Sequence, residues 1–598
     1  MIYHNGRIAG MGPIPRADGV AFRLWAPNAQ QVALVGTFNS WDSNRHLMER
    51  EGNGYWYAQV PEARKGHEYR YVLKTPAGEL SRTDPYARQV TDAMGNAVVH
   101  DPEFDWEGDD FRMPPWNELV LYEMHVGTFH APAGSDQPGT FATAVEQLRH
   151  LAEMAVNAIE LMPVAEFEGG RSWGYNPSHL FAVEIAYGGP RAFKAFIKEC
   201  HRHGIAVILD VVYNHLGPNR LDLWRFDGWH QGELGGIYFY NDNRARTPWG
   251  HTRPDFGRPE VRQFLRDNAL MWLEEYHVDG LRCDSTNYIR AVADRGGHHL
   301  PDGWHFMQEL NREIRRRFPG RLTVAEDLQN DPRLTEDADR GGAGFGAQWD
   351  AWPRCALRDA LTAVFDEGRS VGAVRQALEA RYNNDAFQRV IYTESHDDVA
   401  NGKCRLPQDI NPSHPGGWHA QKRSTLGAAV LLTAPGIPML FQGQEFLTPG
   451  SFSDNVPLDW GRCGRHARIV ELYRDLAALR RNRAGFTRGL CGQQMNVFHV
   501  NEGGRVLAYH RWDRGGPKDD VVVVANFSHR TYPGYVLGLP SGGRWRLRFN
   551  SDWQGYSGLF GGTPSGDCNA DAGRADGLPW RGAVTVGPYS VLVYSQDG

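Results

Sequence analysis

Four short apolar runs open the chain: Val20 to Trp25, Gln31 to Val35, Gly54 to Val60 and Tyr69 to Leu73, separated by Pro, Gly and Asn. Runs of this length, rich in β-branched and aromatic residues, predict a small β-sandwich over residues 1 to 105. Beyond a polar stretch from Asp105 to Asn117 the pattern changes. Apolar runs of strand length follow at Leu119 to Met124, Ala158 to Met162, Ile205 to Asp210, Gly280 to Asp284, Leu322 to Glu326, Gly346 to Asp350, Arg389 to Glu394 and Ile437 to Gln442. Between them lie segments of helical period such as Phe141 to Met154, Pro190 to His203, Arg258 to Tyr276 and Gly303 to Phe318. This alternation predicts βαβ units, an α/β class and a parallel sheet. Its eight strands close most simply as a (β/α)8 barrel, placed at residues 106 to 485. A stretch after the third strand, Gly217 to Pro254, predicts a loop-rich insertion over one mouth. From about Asn501 to Gln596 strand patterning returns, and residues 486 to 598 read as an antiparallel β-sandwich, with glycine-rich Gly555 to Gly577 as loop.

The length of 598 residues suits three or four such units. A net charge of −7 without any Lys/Arg-rich run argues against nucleic acid or an anionic membrane as the main partner. Nineteen Trp and twenty-three Tyr are enough to fill cores and still leave flat faces for sugars to stack on. The seven cysteines, Cys200, Cys283, Cys355, Cys404, Cys463, Cys491 and Cys568, are scattered and show no C-x-x-C pair, so they read as reduced thiols of a cytoplasmic protein. The start, Met1-Ile2-Tyr3-His4, lacks the basic and apolar regions of a secretory signal, and no apolar run reaches membrane-spanning length.

Chemistry concentrates at predicted strand ends. In Gly280-Leu281-Arg282-Cys283-Asp284 the period of two puts Arg282 and Asp284 on one face, where the guanidinium keeps the acid ionised, and turns Cys283 to the other face for packing. Alone, an Arg-x-Asp pair is more often a structural salt bridge. Three other ends change that balance: Asp210-Val211-Val212-Tyr213-Asn214-His215, Val324-Ala325-Glu326-Asp327 and Glu394-Ser395-His396-Asp397-Asp398. In a barrel these ends share one mouth, and so many charged groups are too costly to bury for structure alone. Glu326 ends an apolar strand beside other carboxylates, which should raise its pKa and keep it protonated. Asp327 and Asp398 read as loop caps or supporting hydrogen-bond partners.

Together these four stretches closely resemble the signature regions of the alpha-amylase superfamily, glycoside hydrolase family thirteen, across the whole barrel. The resemblance implies Asp284 as nucleophile, Glu326 as general acid/base and Asp397 as the third carboxylate, which holds sugar hydroxyls. It implies Asn214, His215, Arg282 and His396 as lining of the same subsite, and Tyr175, in Trp173-Gly174-Tyr175-Asn176-Pro177, as the aromatic platform under the reacting sugar. The implied partner is an α-1,4-glucan, with no cofactor and no catalytic metal; structural calcium is left open.

Trp25-Ala26-Pro27-Asn28-Ala29 and Gly36-Thr37-Phe38-Asn39-Ser40-Trp41-Asp42 resemble the family 48 carbohydrate-binding module of glycogen branching enzymes, with Trp41, Trp56 and Tyr71 as either core residues or a binding surface. Gly443-Gln444-Glu445-Phe446, Pro457-Leu458-Asp459-Trp460 and Asn550-Ser551-Asp552-Trp553 resemble the same group. Asp210 to His215 and Thr247-Pro248-Trp249-Gly250 are more similar to maltooligosyltrehalose trehalohydrolases and amylases. The expectation is therefore a branching enzyme, with an α-1,4-glucan hydrolase as the alternative and a non-catalytic glucan-binding protein as a remote third. For a transferase, Trp224, Trp229, Tyr238, Phe239, Tyr240 and Trp249 of the insertion are candidate walls for the acceptor glucan, or else the packing of a lid.

Overall fold

The computed structural model describes the chain except for residues 1, 2, 5, 6, 9, 133, 135, 219, 220 and 294 to 297. Met1 and Ile2, part of the start read as lacking a secretory signal, lie outside the described residues. No described helix is long and apolar enough to cross a membrane.

The first unit is a sandwich of two antiparallel sheets. One holds Gly12–Arg16, Gly19–Trp25, Glu49–Arg50 and Tyr55–Val60; the other holds Gln31–Gly36, Glu68–Thr75, Gly78–Arg82 and Ala97–Val98. Alternate residues of facing strands meet between them, with the rings of Phe22 and Tyr69 edge to face at 5.0 Å. Trp56 and Tyr71 belong to this core: the indole donates to the Ala26 carbonyl at 2.9 Å and the phenol to Asp84 at 3.0 Å. Trp41 alone of the three is exposed.

The polar stretch that follows crosses the lower end of the next unit. Trp106 stacks on His277, Phe111 stacks on His201, and Asp109 accepts from both histidines at 2.7 and 3.2 Å.

Eight parallel strands then close a barrel in chain order: Leu121–Met124, Ala158–Leu161, Ala206–Val211, Gly280–Cys283, Leu322–Ala325, Ala347–Trp349, Arg389–Tyr392 and Ile437–Phe441, the last pairing with the first. Strand alternation decides what fills it. Leu121, Ala158, Ala206, Ile208, Leu322, Val324, Ala347, Val390, Ile437 and Met439 form an inner cluster, while neighbours such as Ile159, Val207, Leu209 and Leu281 join the larger core outside. Toward the carboxyl ends the inner positions turn polar, with Glu123 in register with Glu160 and Asp210 in register with Arg282. The barrel's lower part is thus an apolar plug and its upper part a charged floor.

Helices Gly189–Arg202, Pro259–Glu274 and Pro301–Arg317 each carry Pro in the first turn, where the missing N–H costs nothing. The helix expected over Phe141 to Met154 is instead two, Phe141–Val145 and Leu148–Glu153. Phe141, Ala144, Leu148 and Leu151 are still buried at helical spacing, but the backbone at Gln147, φ −105° and ψ 0°, departs from the helix. An antiparallel hairpin not expected from the sequence, Ala165–Phe167 with Pro177–Val183, follows the second barrel strand.

The insertion is loop-rich among its described residues and is gripped by the first unit. Asn28 donates from its backbone and side chain to Asp227 at 2.8 and 2.9 Å, Arg82 donates to the Phe226 carbonyl at 2.8 Å, and Thr83 donates to Asp222 at 2.8 Å.

The last unit is an eight-stranded antiparallel sheet whose two ends feed one apolar cluster, so it folds over itself. The loop expected from Gly555 to Gly577 is corrected here: Cys568–Ala575 is a strand pairing with Gly543–Asn550 and Leu578–Val586. Its residues have weak strand propensity, but Cys568 and Ala570 point into the cluster while Asn569 and Asp571 face outward, and two flanking ladders hold it. A buried ion pair, Lys422 to Asp552 at 2.7 Å, joins this sheet to a barrel helix.

Candidate active site

Arg282 is the centre of the charged floor. Its guanidinium is buried and donates to Asp284 at 3.0 Å and to Asp210 at 2.5 Å, and its other terminal nitrogen stands 3.4 Å from Glu326. The ring of Trp349 lies 4.4 Å from the guanidinium carbon. A planar fork that stays charged is well suited to holding several carboxylates in fixed relation.

Asp284 stands immediately beyond the fourth strand. The Asn214 amide donates both to its carboxylate, at 2.6 Å, and to its backbone carbonyl, at 2.8 Å, which fixes the side chain from the side opposite Arg282's grip. His215 contacts the same amide's oxygen, and burial lowers its pKa to about 4, so the ring is neutral at neutral pH.

Ser285 adopts a left-handed conformation, φ 41°, which costs a non-glycine residue about 1–2 kcal/mol. The turn aims its N–H at Glu326, 2.6 Å from the carboxylate. Burial pushes Glu326 up to about 7; Arg282 pulls against the rise and Asp284 adds to it. This acid therefore retains a proton near neutrality while its side chain is still 14% exposed toward the mouth. Asp210 is likewise raised to about 6 by burial, opposed by Arg282.

Tyr175 donates its hydroxyl to Asp210 at 2.6 Å and stacks on His396, with centroids 5.0 Å apart and planes at 23°. His396 is anchored below by Glu123, which accepts from its backbone at 3.0 Å and meets Nδ1 at 2.5 Å. Although burial disfavours a charge on this ring, the Glu123 carboxylate raises its pKa.

The structure thus brings together Tyr175, Asn214, His215, Arg282, Asp284, Glu326 and His396. Asp397 follows His396 on the same loop, but its carboxylate is exposed and makes no hydrogen bond to protein among the described residues; its backbone carbonyl accepts from Lys403 at 3.1 Å. Asp327 and Asp398 are supporting groups: Asp327 takes both arms of Arg290 at 2.9 and 2.7 Å, and Asp398 accepts from Arg354 at 3.0 Å and Ser395 at 3.1 Å. Cys283 packs in the outer core, as the alternation predicts.

Asp210, Glu123, Glu160, Ser285 and Trp349 were not singled out from the sequence. Glu123 and Glu160 had a signal, each being the one carboxylate inside an apolar strand run. Glu160 is fully buried, touches Trp349 at 3.4 Å, and is raised by that burial well above the ordinary carboxylate range. Of the six aromatic residues proposed as acceptor walls, Tyr238, Phe239 and Tyr240 are buried and Trp224 packs on Phe239, so these four are packing. Trp229 is exposed but lies under Arg258. Only Trp249 reaches the site, stacked on His215 with centroids 4.4 Å apart and planes at 14°.

A closed (β/α)8 barrel with this arginine-and-carboxylate mouth, set between two β units, defines a protein of the alpha-amylase class. Residues 125–225 match the model of the alpha amylase catalytic domain, residues 10–87 that of carbohydrate-binding module 48 (isoamylase N-terminal domain), and residues 498–597 that of the alpha amylase C-terminal all-beta domain. The chain is 31% identical to a 1,4-alpha-glucan branching enzyme of Rhodospirillum rubrum, covering 99% of this chain and 82% of that one. It is also 31% identical to one of Marinobacter nauticus, covering 92% and 89%, and 33% identical to one of Xanthomonas euvesicatoria, covering 96% and 81%. A type I pullulanase from Bacillus subtilis, solved with maltose, shares the fold with a TM-score of 0.76 at 21% identity, over 100% of this chain and 86% of that one. The chain belongs to the 1,4-alpha-glucan branching enzyme family of the alpha-amylase superfamily.

Proposed function

We propose that the chain is a 1,4-alpha-glucan branching enzyme that cuts an α-1,4 link with retention and passes the released chain to a glucan 6-hydroxyl. The observation that carries its glycosidic chemistry is the single Arg282 guanidinium, which donates to Asp284 at 3.0 Å and stands 3.4 Å from Glu326, the latter kept protonated up to about 7. Asp284 attacks the anomeric carbon as Glu326 gives its proton to the departing glycosidic oxygen. Glu326, now a carboxylate, then takes the proton of the acceptor hydroxyl as its oxygen displaces Asp284. Tyr175 supports the sugar face, and the exposed Asp397 carboxylate, which makes no hydrogen bond to protein among the described residues, is available to sugar hydroxyls. Trp249 offers an exposed ring beside the site for an acceptor chain, which raises the local concentration of its hydroxyl over that of water. The α-1,4-glucan partner and a cytoplasmic place of action, consistent with seven unpaired cysteines, belong to the same proposal.

The deciding experiment is incubation with amylose, following iodine colour, reducing ends and branch points released by a debranching enzyme. Colour loss with new branch points and few stable reducing ends is expected. Short maltooligosaccharides without branches would make the chain an amylase-type hydrolase, and trehalose released from maltooligosyltrehalose a trehalohydrolase.

The proton on Glu326 also sets an expected pH profile. Because the first step needs the protonated acid, kcat/KM should fall on the alkaline side from about 7, by about tenfold per pH unit. A rate that stays flat two units above that value would remove Glu326 as the proton donor.

A further inference from the structure

Outside the barrel mouth, a thiol, an imidazole and a carboxylate stand in series. Glu445 lies in the turn Gln444–Phe446 after the eighth barrel strand and is wholly buried. Its carboxylate accepts from the Tyr122 hydroxyl at 3.1 and 3.3 Å and meets His150 Nε2 at 3.1 Å. The other imidazole nitrogen, Nδ1, is 3.9 Å from Cys463 Sγ. Trp460 packs edge-on against the imidazole with centroids 5.2 Å apart, which limits where the ring can turn. Cys463 itself is only partly covered, so small molecules in solvent can reach it.

Burial works against charge on His150, but Cys463 and Glu445 outweigh it and keep the ring protonated up to about 10. The Glu445 carboxylate at Nε2 fixes the ring so that Nδ1 faces the sulfur. A positively charged donor beside a reachable sulfur is the environment in which cysteines become nucleophilic, whereas buried structural cysteines are inert. None of these residues takes part in the glycosidic chemistry described above.

We propose that Cys463 is a modification site for small peroxides, made selective by the His150–Glu445 pair behind it. The sulfur attacks one peroxide oxygen, an S–O bond forms as the O–O bond breaks, and the departing hydroxide takes up the thiol proton to leave as water. Sulfur loses two electrons and the peroxide gains them, giving a sulfenic acid that a thiol reductant can reverse.

Two other thiols are accessible and serve as references. Cys404 is also partly covered but faces the neutral Ser451 hydroxyl at 3.7 Å. Cys355 is exposed beside Arg354 and is best removed as Cys355→Ser. In that background, the folded full-length protein at neutral pH is exposed to limiting iodoacetamide, sampled over time, digested and quantified by mass spectrometry. Cys463 is expected to label on the order of ten times faster than Cys404. His150→Gln should reduce it to the Cys404 rate, and Glu445→Gln should lower it part of the way. Brief prior treatment with hydrogen peroxide should block Cys463 labelling, and a thiol reductant should restore it. The Cys404 rate, unchanged in a folded variant, separates lost activation from lost structure, and either variant alone suffices. Equal rates for Cys463 and Cys404, a preference that survives in folded His150→Gln, or indifference to peroxide would overturn the proposal.

Discussion

Asp284→Asn is expected to lower turnover on amylose by at least about 10⁴-fold in a chain that still folds, because the amide cannot form the glycosyl ester; its single oxygen can accept from Arg282 or from Asn214 but not from both, so a modest loss of stability should accompany the lost turnover. Glu326→Gln should cost about 10²- to 10⁴-fold on the same substrate, the range typical of a lost general acid. The two variants should separate on a glucosyl substrate whose leaving group needs no proton. That substrate restores the first step in Glu326→Gln, where the nucleophile survives, and does nothing for Asp284→Asn. Trapped glycosyl-enzyme, seen as added mass on the peptide containing residue 284, should accumulate only in the Glu326 variant. Full activity in Asp284→Asn, or adduct on another residue, would require a different nucleophile.

Arg282→Leu should produce the second large effect, and it should show in stability as well as in rate. The wild-type guanidinium is buried among Asp210, Asp284 and Glu326 and lies on Trp349, so its removal leaves carboxylates facing one another without a cation. Breaking a buried pair from one side costs about 3–5 kcal/mol, measurable as a lower midpoint in denaturant at neutral pH. Asp210 and Glu326, already raised by burial, gain protons more readily once the cation is gone, so part of the lost stability should return as pH falls. Arg282→Lys keeps a charge but not the fork, and should recover stability better than activity. A variant as stable as wild type across that range would mean that the floor does not depend on Arg282.

Much of this floor was legible in the chain because strand alternation is a local rule. Arg282 and Asp284 fall on one face and Cys283 on the other whatever the rest of the protein does, and eight alternating runs leave few ways to close a sheet. What escaped depends on groups that meet only after folding. Nothing in its neighbours marks Ser285 as left-handed; the turn becomes intelligible only in the fold, where its N–H meets the Glu326 carboxylate. Glu123 and Glu160 interrupt apolar runs, a signal that by itself assigns no role, and their meaning comes from His396 and Trp349 arriving from distant strands. The insertion's aromatic residues show the converse. Their number suggested a wall, but Tyr238 meets Trp25 of the first unit, a contact that no local pattern encodes. The strand Cys568–Ala575 was missed because its neighbours, not its own propensities, hold it extended.

The grip of the first unit on the insertion bears on how shortened versions of this protein should be interpreted. Asn28, Arg82 and Thr83 hold one end of the segment whose other end sets Trp249 against His215. The β-sandwich is therefore a buttress for the barrel mouth, whatever its own affinity for sugar. A fragment lacking it would lose the support under that wall, and its inactivity would report a displaced indole long before it reported a missing carbohydrate contact.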